Sequence, residues 1–180
     1  MKVTDSVLFE LPEGMLEGAD VAVSEKRLKD AAFFENKEGE DPETLLYTVY
    51  SHGDGKGLNW GLSVLEPVKV NGQYNMTRGH FHENVEAQEY YWVLGGHGFL
   101  LLMDEQGNTW AEVCRPGSLH RIDGHHAHRL INTGDEQLKV ACCWPADAGH
   151  DYARVEKMPF GEICVEKEGE TEWVTISSRQ

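Results

Sequence analysis

Thr77-Arg78-Gly79-His80-Phe81-His82 and, six residues on, Glu89-Tyr90-Tyr91-Trp92-Val93-Leu94 read as two short strands joined by a charged loop. Successive side chains of a strand point to opposite faces, so His80 and His82 emerge together. On the second strand Glu89, Tyr91 and Val93 share one face, while Tyr90, Trp92 and Leu94 share the other. A β-barrel whose interior carries two imidazoles and a carboxylate has a polar hole that needs compensation. A divalent cation supplies it, and His/Glu ligation suits iron, manganese, nickel or zinc.

Outward from this stretch the pattern is the same. Leu45–Tyr50, Leu58–Leu65, Phe99–Met103, Thr109–Cys114, His128–Asn132 and Leu138–Trp144 are apolar runs bounded by turn residues such as Glu105-Gln106-Gly107-Asn108 and Arg115-Pro116-Gly117-Ser118. Short strands with turns every ~8–12 residues predict a sandwich or barrel. One helix is expected, from Ser24 to about Phe34, with Ser24 as N-cap and Leu28, Ala31 and Ala32 as its apolar stripe. The organisation expected is one domain over 1–180: an N-terminal arm and helix (1–44), a β-barrel (45–160), and a peripheral C-terminal segment (161–180) with a hairpin turning at Glu168-Gly169.

The 180 residues carry 31 acids against 16 bases, a formal net charge of −15. That balance excludes nucleic acid and anionic membrane as partners, because phosphate surfaces are gripped by surplus Lys and Arg. An anionic substrate would need a locally positive pocket. Cys114, Cys142, Cys143 and Cys164 form no CxxC pair and read as small apolar residues in a reducing compartment. The opening MKVTDSVLFELPEG lacks the apolar run of a signal peptide, so a cytoplasmic protein is expected.

An HxH pair standing alone is read as two surface or hydrogen-bonded histidines. Here it stands in a larger frame: Gly72, His80, His82, Glu89 and Gly96, then Gly117, His128 and Asn132. This frame resembles the two motifs of the cupin superfamily, and implies a double-stranded β-helix (jelly-roll) fold. The second motif departs by lacking a proline before its histidine. Asp123-Gly124-His125-His126 stands there instead, which makes His125 and His126 rival ligands, although the spacing to Asn132 favours His128.

A closer resemblance covers most of the chain. Thr77-Arg78-Gly79-His80-Phe81-His82, Ala127-His128-Arg129 and Pro145-Ala146-Asp147-Ala148-Gly149-His150-Asp151-Tyr152, with Asp41-Pro42 and Tyr47-Thr48-Val49-Tyr50 upstream, are similar to the cupin-type glucose-6-phosphate isomerases. The resemblance implies that His80, His82, Glu89 and His128 hold one divalent ion per subunit, Fe2+ first, with Mn2+, Ni2+ or Zn2+ acceptable. It places the substrate phosphate near Tyr47, Ser63, Thr77, the Gly79 backbone and Tyr152, with Tyr91, Trp144 and His150 lining the sugar site. Ser63 is the loosest match, and Trp144 stands where the family carries Tyr.

The implied reaction moves a proton between C1 and C2 of glucose 6-phosphate and fructose 6-phosphate through a cis-enediol, with Glu89 as base. A hydride shift between the same carbons is the rival mechanism. A metal-dependent oxygenase, which needs no phosphate donors, and a non-catalytic sugar-binding cupin, with metal for structure only and no turnover, are the competing functions. His52, His97 and His120 are expected at the surface, and Arg78 and Arg129 in structural ion pairs. Trp60, Trp92, Trp110 and Trp173 are expected as core or interface aromatics. Tyr90 and Trp92, facing out of the barrel, predict a covering by the N-terminal segment or by a second subunit of a homodimer.

Overall fold

In the computed structural model, which describes residues 8–10 and 15–176, the apolar runs fold almost entirely as antiparallel strands. In chain order they are β1 (Leu8–Glu10), β2 (Met15–Glu17), β3 (Val21–Arg27), β4 (Leu45–His52), β5 (Leu58–Leu65), β6 (Lys69–Val70), β7 (Gln73–Met76) and β8 (Glu89–Gly95). There follow β9 (Gly98–Met103), β10 (Thr109–Cys114), β11 (Leu119–Ile122), β12 (Ala127–Asn132), β13 (Leu138–Pro145), helix α1 (Tyr152–Lys157), β14 (Glu162–Lys167) and β15 (Glu170–Thr175).

The strands form two main sheets. One runs β11-β8-β13-β5-β4-β3; the other runs β10-β9-β12-β7-β14-β15, with β6 added beside β7. Val93, Val140 and Leu65 from the first sheet and Met76, Leu100 and Leu130 from the second belong to one buried core. The result is the all-β jelly-roll expected. Along β8 the alternation is as read: Glu89, Tyr91 and Val93 are buried, and Tyr90 and Trp92 are about half exposed.

Two readings are corrected and a third is extended. Residues 24–34 are not an α-helix. Val21 and Val23 are β-branched and alternate, and Val21–Arg27 pairs along the length of β4, so a sheet ladder outweighs the short apolar stripe. Only Leu28–Asp30 turns helically, as one 3-10 turn that buries Leu28. The single α-helix among the described residues is α1, where the Asp151 carboxylate accepts the Arg154 backbone N–H at 2.9 Å. Second, the C-terminal hairpin β14–β15 turns at Glu168-Gly169 as expected, and it adds to the edge of the second sheet through the Val165–Gln73 pairing.

Third, His120 is buried rather than on the surface. Its Nδ1 lies 2.6 Å from a Glu112 carboxylate oxygen and its Nε2 lies 3.0 Å from the Ser118 hydroxyl. Glu112 sits on β10 and His120 on β11, so this polar bridge ties together the edge strands of different sheets. The inward residues of β11 are His120 and Ile122, and Leu119 faces out, which hides the strand from an apolar-alternation reading.

Candidate metal centre

Glu89 opens β8 and His128 lies near the start of β12, so the two come from facing sheets. β7 ends at Met76 rather than continuing through His82. Beyond it the ladder gives way to the Thr77 N–H donating to the Leu130 carbonyl at 2.9 Å and to two isolated bridges, His80 opposite His128 and Phe81 opposite Asp151. The break falls at Gly79, whose φ of +78° is left-handed. A Cβ there would meet Phe160 at 2.9 Å and the Arg129 side chain at 3.1 Å, so the position takes glycine on both counts. His80 and His82 nevertheless flank the fully buried Phe81 and point to a common centre.

The candidate ligand atoms of His80, His82, Glu89 and His128 all lie within 4.8 Å of one another, the one such group among the described residues. His82 Nε2 and His128 Nε2 both lie 3.3 Å from the same Glu89 carboxylate oxygen. For His82 the angle makes a hydrogen bond. For His128 it does not, and His128 Nε2 is left as a buried nitrogen without a partner. Native proteins rarely leave such an atom unsatisfied. Three imidazoles and one carboxylate around a common point fit a divalent cation, and the orphaned nitrogen fits a ligand atom.

The electrostatics follow from burial. His80 is held well below the usual imidazole range, first by burial and then by His128, His150 and His82. Burial also opposes charge on Glu89 and His82, but it is outweighed at both: His128 and His82 lower the Glu89 carboxyl, and Glu89 with the Ala87 carbonyl raises the His82 imidazole. Burial and the Glu89 carboxylate push the Tyr91 phenol well above its ordinary value.

The backbone orients the rings. His82 Nδ1 lies 3.0 Å from the Ala87 carbonyl oxygen, which leaves Nε2 facing the centre. His128 Nδ1 lies 3.4 Å from the His126 carbonyl oxygen. A backbone carbonyl leaves no mark in the side-chain pattern, so the role of Ala87 was invisible beforehand. Gly124 packs against the same carbonyl: a Cβ there would come within 2.5 Å of Ala87 O and 2.3 Å of Val85 O. Gly124→Ala is therefore expected to displace the support of His82 and weaken metal binding about 10–100-fold, measured by competition with a chelating dye. Unchanged affinity would show that this support carries no weight.

The rival ligands fall away. His125 Nδ1 pairs with Glu105 at 3.6 Å, and His126 packs edge-on to Trp110 at 4.9 Å. His97 is exposed, as expected, and His52 is half-buried.

The residues expected around the substrate divide into two groups. Tyr91, His150 and Tyr152 touch the imidazoles: Tyr91 lies 5.7 Å from His128, His150 lies 4.3 Å from His80, and Tyr152 lies 5.6 Å from His80 and stacks on His150 (ring centroids). Tyr47, Ser63 and Trp144 lie on the inner face of the six-stranded wall, where the Trp144 ring covers Gly61. Burial lifts the Tyr47 phenol to about 12, partly offset by the Arg78 backbone N–H. Thr77 lies between the groups in sequence; its hydroxyl oxygen accepts the Leu130 N–H at 3.0 Å, which leaves its proton free to donate.

The two arginines differ. Arg78 stacks over Tyr152 at 4.1 Å and pairs with Glu156 at 2.6 Å, as expected. Arg129 is buried and makes no ion pair among the described residues, which corrects the reading. It donates to the Arg78 carbonyl at 2.7 Å and stacks over Phe160 at 4.2 Å. Burial lowers it to about 10, so it remains cationic at neutral pH. A cleft of about 740 Å³ on this reverse side is lined by Arg78, Arg129, Tyr152 and Phe160 and shares none of the four candidate ligands.

A jelly-roll whose interior gathers three imidazoles and a carboxylate defines the class: a cupin with a candidate metal centre. The chain belongs to the glucose-6-phosphate isomerase (GPI) family, whose description it matches over residues 28–179. It is 34% identical over 184 residues to the glucose-6-phosphate isomerase of Thermococcus onnurineus, covering 96% of this chain and 95% of that one. With the enzyme of the same name from Pyrococcus furiosus the identity is 35% over 182 residues, covering 93% of each. Among solved structures, an oxalate oxidase complexed with the substrate analogue glycolate overlaps 84% of this chain and 64% of its own, at TM-score 0.49 and 15% identity. No helix among the described residues is long and apolar enough to cross a membrane.

Proposed function

We propose that this chain is a metal-dependent glucose-6-phosphate isomerase that interconverts glucose 6-phosphate and fructose 6-phosphate. The observation that carries this is the placing of Glu89, the one carboxylate in the buried cluster, among three imidazoles with His150 and Tyr152 alongside. A divalent cation held by His80, His82, Glu89 and His128, Fe2+ first by the family resemblance, with Mn2+, Ni2+ or Zn2+ equally suited by ligand type, would supply Lewis acidity toward O1 and O2 of the sugar.

The chain's own residues do the rest. Glu89 takes a proton from C2, exchanges it in part with solvent and delivers a proton to C1 by way of a cis-enediol, while the proton of the C2 hydroxyl passes to the C1 oxygen, so that the C1 carbonyl becomes a hydroxyl and the C2 hydroxyl a carbonyl. Its lowered pKa keeps it ionised and able to accept. His150 and Tyr152 hold the sugar over the centre, and the buried Tyr91 walls it beside His128. The Tyr47, Ser63, Thr77 and Tyr152 hydroxyls and the Gly79 N–H bind the phosphate directionally. A coupled assay of fructose 6-phosphate conversion, with and without chelator, tests the function. Run in D2O, the product of the enediol route carries solvent deuterium at C1 or C2; complete absence of label contradicts it.

Tyr152→Phe keeps the ring that Arg78 covers and removes only the hydroxyl. It is expected to raise KM for fructose 6-phosphate about tenfold, the effect of one hydrogen bond to a charged group, with metal content intact. Loss of metal in this variant would contradict the phosphate role.

The working unit we propose is a homodimer in the cytoplasm. Val23, Tyr50, Leu62, Ala141, Trp92 and Leu119 stand in register across all six strands of the outer face of one sheet. β2 lies against β4 and β5, and Leu16 and Leu62 are buried, while Val23, Trp92 and Leu119 remain 59, 49 and 65% exposed. An apolar row of that extent suits a self-complementary contact. Trp92→Glu is expected to halve the mass measured by sedimentation equilibrium. A wild-type chain that sediments as a monomer would contradict the dimer.

A further inference from the structure

We infer that Arg129 is a specificity-determining residue, whose buried charge holds the substrate phosphate from behind the Gly79 turn. This inference rests on the isomerase reading and names what makes the phosphate end of its site positive in a chain of net charge −15.

The position of the side chain is unusual on three counts. Arg129 follows the ligand His128 on β12, so its side chain leaves the opposite face of the strand. It is 6% exposed, and no carboxylate among the described residues lies within ion-pair distance of it. Its guanidinium spends one donor on the Arg78 carbonyl at 2.7 Å and one against the Met76 sulfur at 3.2 Å, while Nε has no partner. A buried cation with an unfilled donor and no counter-ion is costly unless an anion completes it, and removing the charge is the cheaper design where none ever does.

The geometry says where such an anion would be. Arg129 packs directly beneath Gly79, with its Nε 3.1 Å from the position a Cβ would take there. Its charge is felt at the buried Tyr47. Tyr47, Thr77 and Gly79 are the donors proposed for the phosphate, so the cation sits under the group of neutral donors rather than among them. Arg78, the other cation of this wall, is half-neutralised by Glu156 at 2.6 Å and is exposed to screening. Arg129 is neither paired nor exposed. Neutral hydroxyls and a backbone N–H then give direction, and Arg129 gives the attraction that favours a dianion over a neutral hydroxymethyl group.

The test compares the metal-loaded wild type with Arg129→Met, Arg129→Gln and Arg129→Lys, using arabinonate 5-phosphate and unphosphorylated arabinonate as paired inhibitors, and calorimetry with inorganic phosphate. The neutral variants are expected to weaken the phosphorylated inhibitor and inorganic phosphate by about tenfold or more, the scale of one charge pair lost from a partly buried site. Binding of unphosphorylated arabinonate and metal content stay within about twofold, because that end of the site is untouched. Arg129→Lys keeps the ratio of the two inhibitor affinities near that of wild type, and this holds as the readout should neither neutral variant fold. Equal weakening of both inhibitors, or a collapsed ratio in the lysine variant, would assign Arg129 to packing alone and overturn the inference. An inactive wild type would instead contradict the isomerase reading, whereas an active one whose phosphate affinity survives Arg129→Met would contradict only the role given to Arg129.

Discussion

Glu89→Gln is expected to lower kcat/KM for fructose 6-phosphate by about 10²–10⁴-fold, the contribution of a general base. The substitution is close to isosteric at a residue 5% exposed, so the core is not opened. It removes the one group of the cluster able to accept a proton from carbon at neutral pH. It also removes the carboxylate from His82 and His128, each 3.3 Å away, so metal affinity falls as well. Reconstituting the variant at saturating metal separates the two effects. Activity that returns with metal shows Glu89 to be a ligand only, and activity that stays low at full occupancy shows it to be the base.

Dialysis against a chelator is expected to abolish turnover, by about 10³-fold or more for a Lewis acid worth several kcal/mol, and one equivalent of divalent ion should restore it. The same treatment should lower Tm. An ion present at about 1,000 times its Kd stabilises the fold by about 4 kcal/mol, which is lost on chelation. Imidazoles bind a cation only when neutral, so protons compete with the ion as pH falls. The difference in Tm between loaded and stripped protein is therefore expected to narrow from pH 8 towards pH 5, both read by calorimetry. A difference that does not change with pH would mean that the bound ion is not held by histidines.

Much of this site was legible before any coordinates, and the reason is covalent. Strand alternation alone sets Glu89 and Tyr91 inward and Tyr90 and Trp92 outward, and it survives into the fold unchanged. His80 and His82 converge although their segment is not a regular strand, because spacing by two places them on either side of the buried Phe81. The errors have a different origin. The segment 21–34 carries a helical stripe as well as a strand alternation, and only its pairing with β4, distant in sequence, decides between them. His120 reads as a surface residue until Glu112 and Ser118 are brought round it. Arg129 sits next to the candidate ligand His128, and a rule of alternation turns it away from the candidate centre. What alternation does not supply is the environment on the far side, where the Arg78 carbonyl, Phe160 and Gly79 enclose it and no described carboxylate pairs with it. Side-chain direction is a local property, while the company a buried charge keeps is a tertiary one.

Anomalous diffraction from crystals of the metal-reconstituted protein, collected on both sides of the ion's absorption edge, examines the heart of the matter without reference to activity. A single strong peak is expected among the imidazole nitrogens of His80, His82 and His128 and the carboxylate of Glu89, at about 2.0–2.2 Å from each. Density for the ion at another place, or none at all in protein that has taken up one equivalent, would mean that these four side chains do not bind it, and the chemistry built on them would have to be abandoned.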